Sequence, residues 1–265
     1  MISKAIIQLI RSLEYKKFRA QHGLFVMEGD KAVRELLSSA LTTEYLLAKP
    51  AWLEQLPEHL SSKAKQIIEI NDKELSQISF LKTPNQATAL AQIPEYHLDT
   101  TELTGCLSLY LNHVQDPGNL GTIIRLADWF GIHHVLYDEG CAAPFHPKTI
   151  QSTMGSIIRV KTYPTDESFF QQLKTQHPDF PVYGTFLNGD NLYHSSLSTR
   201  AVIVMGNESK GISDDIAQYV NQRLLVPSYP TDKPTSESLN VATAAAIVCA
   251  EFRRRTMMEP IIFDF

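Results

Sequence analysis

The sequence predicts an α/β protein with a mostly parallel sheet covered by helices on both faces, preceded by a small α/β domain. Apolar runs of strand length alternate with segments of helical period along nearly the whole chain. The alternation is strongest after residue 105, a pattern typical of parallel sheets. A stretch without a strong period separates the two parts. We therefore predict a domain at 1–95, a linker at 96–105 and a second domain at 106–265.

The first part alternates short helices and strands. Apolar positions between Ile2 and Leu13 form one helical stripe, so a helix is predicted there. A second helix is predicted from Asp30, which could cap it, to Leu37. The predicted strands read GLFVMEG, TEYLLAK, QIIEI and ATALAQI, and further helices are predicted over AWLEQL and NDKELSQI.

The second part contains longer, more regular elements. Strands are predicted at 106–114, 134–138, 157–162, 182–187, 201–205 and 223–227. Helices are predicted at 119–130, 166–175, 213–220 and 238–254. Ligands of open parallel sheets bind beyond the carboxyl ends of the strands, so the loops that follow the strands are the expected location of a site.

Composition excludes several classes of protein. The chain has 265 residues, of which 43% are hydrophobic and 20% charged, as in ordinary soluble globular proteins. Three distant cysteines without a CxxC spacing indicate neither a zinc site nor a disulfide framework. The nine histidines show no HExxH or similar spacing, so a metal hydrolase is not favoured. Without a signal peptide or a long apolar run, the protein is predicted to be cytoplasmic and not membrane-bound.

Charge is distributed unevenly along the chain. The net charge of −5 gives no general attraction to nucleic acid. The first 34 residues, however, carry an excess of lysine and arginine over acids. Lys16, Lys17 and Arg19 lie in this basic segment, and a solvated helix face is its simplest interpretation.

The first candidate loop lies in LYLNHVQDPGNLGTIIRLADWFGI, residues 109–132. A strand stops at a turn with Pro117 and Gly118, and the helix that follows carries Arg125. Free N–H groups at a helix start favour an anion, and helical side chains lean toward the N-terminus, so Arg125 can reach back over the turn. Asn119 adds a donor and an acceptor. The alternative is an ordinary helix start with a surface Arg125 paired to Asp128.

Two further loops carry polar residues at strand ends. In AVIVMGNESKGIS, five apolar residues are followed by Gly206, Asn207 and Glu208. In the third loop, a strand ends near Val226 and a helix opens around 238–240. A serine there is the expected helix cap. An asparagine just inside a helix is less expected, because its helix propensity is low.

These three loops resemble the motifs of the SpoU/TrmH family of RNA ribose 2′-O-methyltransferases, in the SPOUT superfamily. The matching segments are Asn119-Leu-Gly121-Thr-Ile-Ile-Arg125, Gly206-Asn207-Glu208 with Gly211, and Ser238-Leu239-Asn240-Val241. The resemblance covers about residues 106–255. In addition, YKKFRAQHGLFVMEGDKAVRELL is similar to a substrate-binding domain often attached to this family.

The resemblance implies a trefoil knot near the C-terminus, a homodimer and S-adenosyl-L-methionine as the methyl donor. The cofactor-binding residues implied are Thr185, Gly206, Asn207, Val226 and Leu239. The catalytic residues implied are Arg125, Asn119, Glu208, Ser238 and Asn240. A guanidinium stays protonated, so we expect Arg125 to bind a phosphate or stabilise the developing alkoxide rather than act as a base. The expected substrate is rRNA, with tRNA as the alternative. We expect the RNA to contact the basic N-terminal segment at Lys16, Lys17 and Arg19.

Two features depart from the family pattern, and two other functions stay open. The loop from Val226 to Leu239 is a few residues longer than usual, and Pro227-Ser228-Tyr229-Pro230 replaces the usual Pro-Met-x-Gly. A nicotinamide-dependent oxidoreductase would use the Gly-containing turn with Asp138 as the ribose-binding acid, although GxGxxG is lacking. A non-catalytic RNA-binding protein would need only the basic N-terminal segment.

Overall fold

The structure, a computed structural model, describes residues 2–230 and 236–258. Its helices in these ranges are α1 (Lys4–Ser12), α2 (Lys16–His22), α3 (Asp30–Ser38), α4 (Pro50–Glu54), α5 (Glu58–Ser61), α6 (Asp72–Ile78), α7 (Thr100–Thr104), α8 (Pro117–Trp129), α9 (Pro147–Thr153), α10 (Glu167–Gln176), α11 (Asp214–Ala217) and α12 (Val241–Met258). Its strands are β1 (Leu24–Glu28), β2 (Thr43–Ala48), β3 (Ala64–Glu69), β4 (Ala87–Gln92), β5 (Leu107–Leu111), β6 (His134–Tyr137), β7 (Lys161–Pro164), β8 (Val182–Asn191), β9 (Ala201–Met205) and β10 (Gln222–Leu225). None of the described helices combines the length and apolarity that crossing a membrane requires.

Packing divides the chain into two compact units. One comprises Met1–Glu95 with Ala143–Ile158, and the other Tyr96–Ala142 with Arg159–Phe265. The segment 143–158 lies inside the predicted second domain, yet it packs with the first unit. There, α9 contacts β1, and the ring centroids of Phe25 and Phe145 are 5.1 Å apart. The sequence of α9, PKTIQST, is too short and polar to show a helical period.

The first unit is built on a mixed four-stranded sheet in the order β1-β4-β2-β3. Strand β4 runs antiparallel to β1 and β2, whereas β2 and β3 are parallel. The core of this unit includes Ile10, Leu13, Val26, Leu47 and Leu90, all buried. Helix α1 therefore supplies the apolar stripe that its sequence predicted.

Arg19 lies inside the first unit rather than on its surface. Its side chain is buried, and Nη1 donates to the carbonyls of Leu13 at 2.8 Å and Glu14 at 2.7 Å. Burial lowers the pKa of the Arg19 guanidinium. The predicted contact of Arg19 with RNA is therefore wrong: its donors hold the turn between α1 and α2. Lys16 and Lys17 are exposed.

The second unit contains a six-stranded sheet in the order β10-β8-β9-β5-β6-β7, with every neighbouring pair parallel. All residues of β5 and β9, which lie next to each other near the middle of the sheet, are buried. This arrangement confirms the predicted α/β class with a parallel sheet. The trefoil knot depends on how the chain threads through its own loops, and it stays a prediction.

Several element boundaries in this unit differ from those predicted, and two of the differences have a local cause. Helix α7 occupies part of the predicted linker, because Asp99 caps it by accepting a hydrogen bond from the Thr101 N–H at 2.8 Å. Strand β7 begins at Lys161, after a 3-10 turn at Ser156–Ile158, where a strand had been predicted from 157. Both boundaries are set by hydrogen bonds between residues close in sequence, at Asp99 and at the 3-10 turn. The spacing of apolar residues carries no information about such bonds.

Helix α12 is fixed at its C-terminal half by charged side chains. Arg253 donates from Nε to the carbonyl of Phe130, at 2.6 Å, just beyond the end of α8. The buried Glu251 carboxylate accepts from Arg254 at 2.7 Å and from Arg255 at 2.8 Å. These hydrogen bonds and charges lower the pKa of Glu251 to about 2. These interactions stabilise α12, the helix that begins at the end of the motif Ser238-Leu239-Asn240-Val241.

We expect Glu251→Gln to lower the free energy of unfolding at pH 7 by about 1–3 kcal/mol, because it removes a buried charged acceptor. The folded pKa of Glu251 is depressed, so the parent has this stability above the carboxylate's ordinary pKa of 4.5 and loses it as pH falls toward 2. Thermal melts from pH 7 to pH 2 should therefore show the difference between parent and variant shrinking below about pH 4.5. The exposed Glu139→Gln serves as control, and a constant difference across this range would contradict the assignment.

Candidate active site

The three motif loops lie at one edge of the second unit's sheet. All six strands are parallel, so their carboxyl ends share that edge. The first loop follows β5, the second follows β9, and the third follows β10. Residues 231–235, in the middle of the third loop, lie outside the described residues. The extra loop length predicted between Val226 and Leu239 falls partly on them.

Side chains from all three loops form one hydrogen-bonded cluster. Asn119 donates from Nδ2 to Oε1 of Glu208 at 2.5 Å, and its Oδ1 accepts from Nδ2 of Asn240 at 3.0 Å. Asn119 thus connects residues 89 and 121 positions away in sequence. The Ser238 hydroxyl donates to the main-chain carbonyl of Glu208 at 3.4 Å. Four of the five predicted catalytic residues are brought together in this way.

Helix caps place two members of this cluster. Asp116 is the N-cap of α8, and its Oδ1 accepts from the Asn119 N–H at 2.8 Å. The helix consequently starts at Pro117, two residues before the predicted start. Asn240 caps α12, because its Oδ1 accepts from the N–H groups of Ala242 at 3.0 Å and Thr243 at 3.2 Å. The expectation that Ser238 caps this helix is therefore wrong, and the asparagine lies at a position that favours asparagine.

A cavity of about 350 Å³ opens beside the cluster. Its lining includes all five residues predicted to bind the cofactor, together with Glu208 and Ser238: Thr185, Gly206, Asn207, Glu208, Val226, Ser238 and Leu239. Apolar side chains complete much of the wall, among them Phe186, Leu187 and Met205. The cavity thus joins an apolar wall to polar groups at the strand ends, as small-molecule sites do.

The cavity is large enough for a small-molecule cofactor, and a tight turn at Gly206 forms part of its wall. Its volume falls within the roughly 300–1,000 Å³ range of ligand sites. Gly206 allows the chain to fold back closely, since a Cβ there would come 2.5 Å from the N of Ile212 and 2.6 Å from the O of Gly211. The turn is held by paired main-chain hydrogen bonds between Asn207 and Gly211, at 3.0 and 2.9 Å. The Asn207 side chain also accepts from the N–H groups of Ser209 and Lys210.

Arg125 occupies a different face of α8 from Asn119. Six residues separate them, which on an α-helix corresponds to about 120° around the axis and about 9 Å along it. Arg125 is exposed and makes no hydrogen bond or ion pair with another described residue. The alternative pairing with Asp128 is not formed, because Asp128 binds Arg159 at 2.8 Å. The geometry therefore leaves the guanidinium available to an external anion.

Sequence reasoning missed a second polar group at this edge. The buried Asn112 donates from Nδ2 to Oδ2 of the buried Asp138 at 2.6 Å and accepts from the N–H of Ser213 at 2.7 Å. Asp138 also accepts from the N–H of His113. Being buried and engaged, Asp138 does not have the freedom that the oxidoreductase alternative requires. No motif pairs positions 112 and 138, so the sequence held no signal for this group.

Cys141, next to this group, is not a nucleophile. Burial, reinforced by the charge of Asp138, raises the pKa of the Cys141 thiol to about 12. Its sulfur lies 3.2 Å from the carbonyl oxygen of Leu111, to which the thiol donates. Within the described part of the chain, no group of three or more His, Cys, Asp or Glu side chains is arranged to hold a metal ion. The polar side chains that meet at this edge among the described residues include Asn119, Glu208 and Asn240.

Known proteins match this chain along most of its length. The model of the SpoU rRNA methylase family matches residues 106–250, and that of the MRM3-like substrate binding domain matches residues 4–89. The 23S rRNA (guanosine(2553)-2′-O)-methyltransferase RlmP of Bacillus subtilis is 32% identical over 245 residues, which are 92% of this chain and 94% of that protein.

Solved structures agree with this match. A TrmH-family protein from Porphyromonas gingivalis is 36% identical, with a TM-score of 0.83 over 96% of this chain and 99% of the other. The rRNA methyltransferase from Sinorhizobium meliloti, solved with AdoMet bound, is 26% identical, with a TM-score of 0.84 over 96% of each chain. Together with the three motifs joined at one sheet edge, these matches show that the chain belongs to the SpoU rRNA methylase family.

Proposed function

We propose that the protein transfers a methyl group from S-adenosyl-L-methionine to a ribose 2′-hydroxyl of rRNA. One observation carries the proposal: Asn119, Glu208 and Asn240, from three separate loops, are hydrogen-bonded at the rim of a cavity lined by Gly206 and Leu239. A binding-only RNA protein would not need that convergence. The relatives from Bacillus subtilis and Sinorhizobium meliloti support the same reaction.

The cofactor, when bound, supplies a methyl group already activated by its sulfonium, so the protein's work is alignment and charge stabilisation. Asn119 donates to Glu208 Oε1 and is itself held by a hydrogen bond from Asn240, so Glu208 Oε2 is left to accept a hydrogen bond from the ribose hydroxyl. Arg125 keeps its proton and provides a positive charge to a phosphate or to the developing alkoxide. The cavity-lining residues Gly206 and Leu239 would hold the cofactor.

Ribosomal RNA is favoured over tRNA by the first unit. Its sequence matches a substrate binding domain, and the Bacillus subtilis relative acts on 23S rRNA. Lys16 and Lys17 are exposed at the start of α2, where they can contact phosphates. A cytoplasmic location belongs to the same proposal, and the three free cysteines are consistent with a reducing compartment.

A homodimer is also part of the proposal. Thr122, Arg125 and Trp129 share the exposed face of α8, and Trp129 is 83% exposed. The exposed indole supports this proposal, because aromatic side chains are enriched in the buried centres of interfaces. A second copy covering this face would bring its own cavity near Arg125, which the 120° offset keeps away from Asn119 in the same chain.

Trp129→Glu is expected to convert the dimer to a monomer, because a charge replaces the central apolar contact. Light scattering after size-exclusion chromatography measures the mass, and methyl transfer should fall with the dimer fraction. Ile67→Glu, at a 45% exposed position on β3 of the first unit, is the mass control. A parent that runs as a monomer at all concentrations tested would contradict the homodimer.

The decisive test of function is to map 2′-O-methyl marks in rRNA and tRNA by mass spectrometry, in cells with and without the gene. We expect one rRNA mark to disappear in the deletion strain and to return with the parent gene. Loss of a tRNA mark alone would favour the alternative substrate. A thermal shift with S-adenosyl-L-methionine but not with NAD would separate methyl transfer from oxidoreduction.

A further inference from the structure

The main chain at His113 is held in a conformation that histidine seldom adopts. His113 follows β5 directly and has a φ of 58°, in the left-handed region. Its N–H donates to Asp138 Oδ1 at 3.1 Å and Oδ2 at 3.0 Å, and its carbonyl accepts from Asn207 Nδ2 at 2.9 Å. Glycine or asparagine would take this conformation at lower cost. Backbone conformations that are disfavoured but fixed by surrounding hydrogen bonds cluster at functional sites, so this one suggests a function for the His113 side chain.

The imidazole is oriented by buried partners. Nδ1 lies 3.0 Å from Oδ2 of Asp138 and 2.9 Å from Nδ2 of Asn112, and both partner residues are buried. The ring lies over Gly140, where a Cβ would come 2.9 Å from Nε2 and 3.0 Å from Cγ. The His113 side chain is nevertheless 50% exposed. The buried pair thus engages Nδ1, and no described residue forms a hydrogen bond or ion pair with Nε2.

This arrangement fits a contact with an anion. With Nδ1 engaged by the buried pair, an Nε2–H is available as a donor to an external anion. The loop that carries His113 also carries Asn119, and the Asn207 that holds the His113 carbonyl precedes Glu208. His113 is not among the residues that line the cofactor cavity.

We propose that His113 binds a phosphate of the RNA substrate next to the reacting ribose, with Asp138 orienting the ring. The inference rests on the proposed function, because it names a further contact for the same RNA. Phosphate contacts position an RNA chain without reading its sequence. His113 would therefore fix the register of the strand that enters the site, in a protein whose net charge of −5 offers little general attraction.

The test uses His113→Asn, because asparagine tolerates a left-handed backbone and keeps the N–H bonds to Asp138. Filter binding at pH 6.0, with S-adenosyl-L-homocysteine present, measures affinity for rRNA purified from the deletion strain. We expect affinity to fall by about 5-fold and the slope of log affinity against log salt to decrease by about 1. The melting temperature and the affinity for S-adenosyl-L-methionine should not change. The exposed His133→Asn is the matched control.

Gly140→Ala gives a second, independent variant, because its Cβ displaces the ring without removing it. It should weaken RNA binding as His113→Asn does, and the double variant should be no weaker than either single one. Unchanged RNA affinity and salt slope in His113→Asn, or additive losses in the double variant, would overturn the inference. If the parent protein methylates rRNA but the variants bind RNA as the parent does, the role of His113 is refuted and the proposed function stands. If the parent does not methylate rRNA, the proposed function and the role of His113 are both refuted.

Discussion

Arg125→Ala is expected to slow methyl transfer to rRNA by about 100- to 1,000-fold, the usual cost of removing one charge-stabilising donor from an active site. The side chain is exposed and has no hydrogen-bond or ion-pair partner among the described residues, so its removal breaks no such interaction within the fold. Melting temperature and affinity for S-adenosyl-L-methionine should therefore match the parent. The loss should appear in single-turnover transfer from labelled donor, which separates chemistry from product release.

Two further variants sharpen this prediction. Arg125→Lys keeps the positive charge but loses the planar fork of donors, so it should recover only part of the rate if Arg125 holds a phosphate or alkoxide in a fixed orientation. Arg159→Ala removes another cation beside α8, one that is paired with Asp128, and should leave the rate within about 2-fold. An Arg125→Ala protein that methylates at the parent rate would remove Arg125 from the mechanism.

The parallel sheet was predictable because its strands are buried on both faces. Residues 201–205 read as one apolar run, and β9 occupies those positions with every residue buried. Residues 107–111, which form β5, are likewise all buried. The edge where the loops meet then follows from the parallel order of the strands. The pattern of apolar residues does not show where α8 and α12 start. Those starts are set by the caps at Asp116 and Asn240.

Contacts between distant residues set the limit of prediction at the site. The motif resemblance pointed to Asn119, Glu208 and Asn240, but only the folded chain shows that Asn119 bonds to both of the others. The group of Asn112, His113 and Asp138 had no such pointer, because its members match no motif and are brought together by β5 and β6. The prediction for Arg19 was wrong because a basic run in a sequence suggests exposed side chains. Arg19 is instead buried and donates to the main-chain carbonyls of Leu13 and Glu14.

The second large effect is expected from Gly206→Ala. Gly206 is buried at the end of β9, and a Cβ there would meet only backbone atoms of Gly211 and Ile212, which cannot rotate away. The loop 207–211 must therefore shift, and with it Asn207 and Glu208 on the cavity wall. Such overpacking costs about 1–3 kcal/mol of stability. A displacement of about 1 Å at the reacting groups is expected to reduce methyl transfer by about 100-fold.

Gly105→Ala is the matched control in the same unit. The Cβ at Gly105 would stand 3.4 Å from the nearest atom, and its φ of −83° suits any residue, so the substitution should be close to neutral in melting temperature and in transfer rate. Calorimetric titration with S-adenosyl-L-methionine should then show a weakened affinity for Gly206→Ala alone. If Gly206→Ala binds the cofactor as the parent does, the closely folded turn after β9 is not part of the cofactor site, and the cavity would have to be assigned to another ligand.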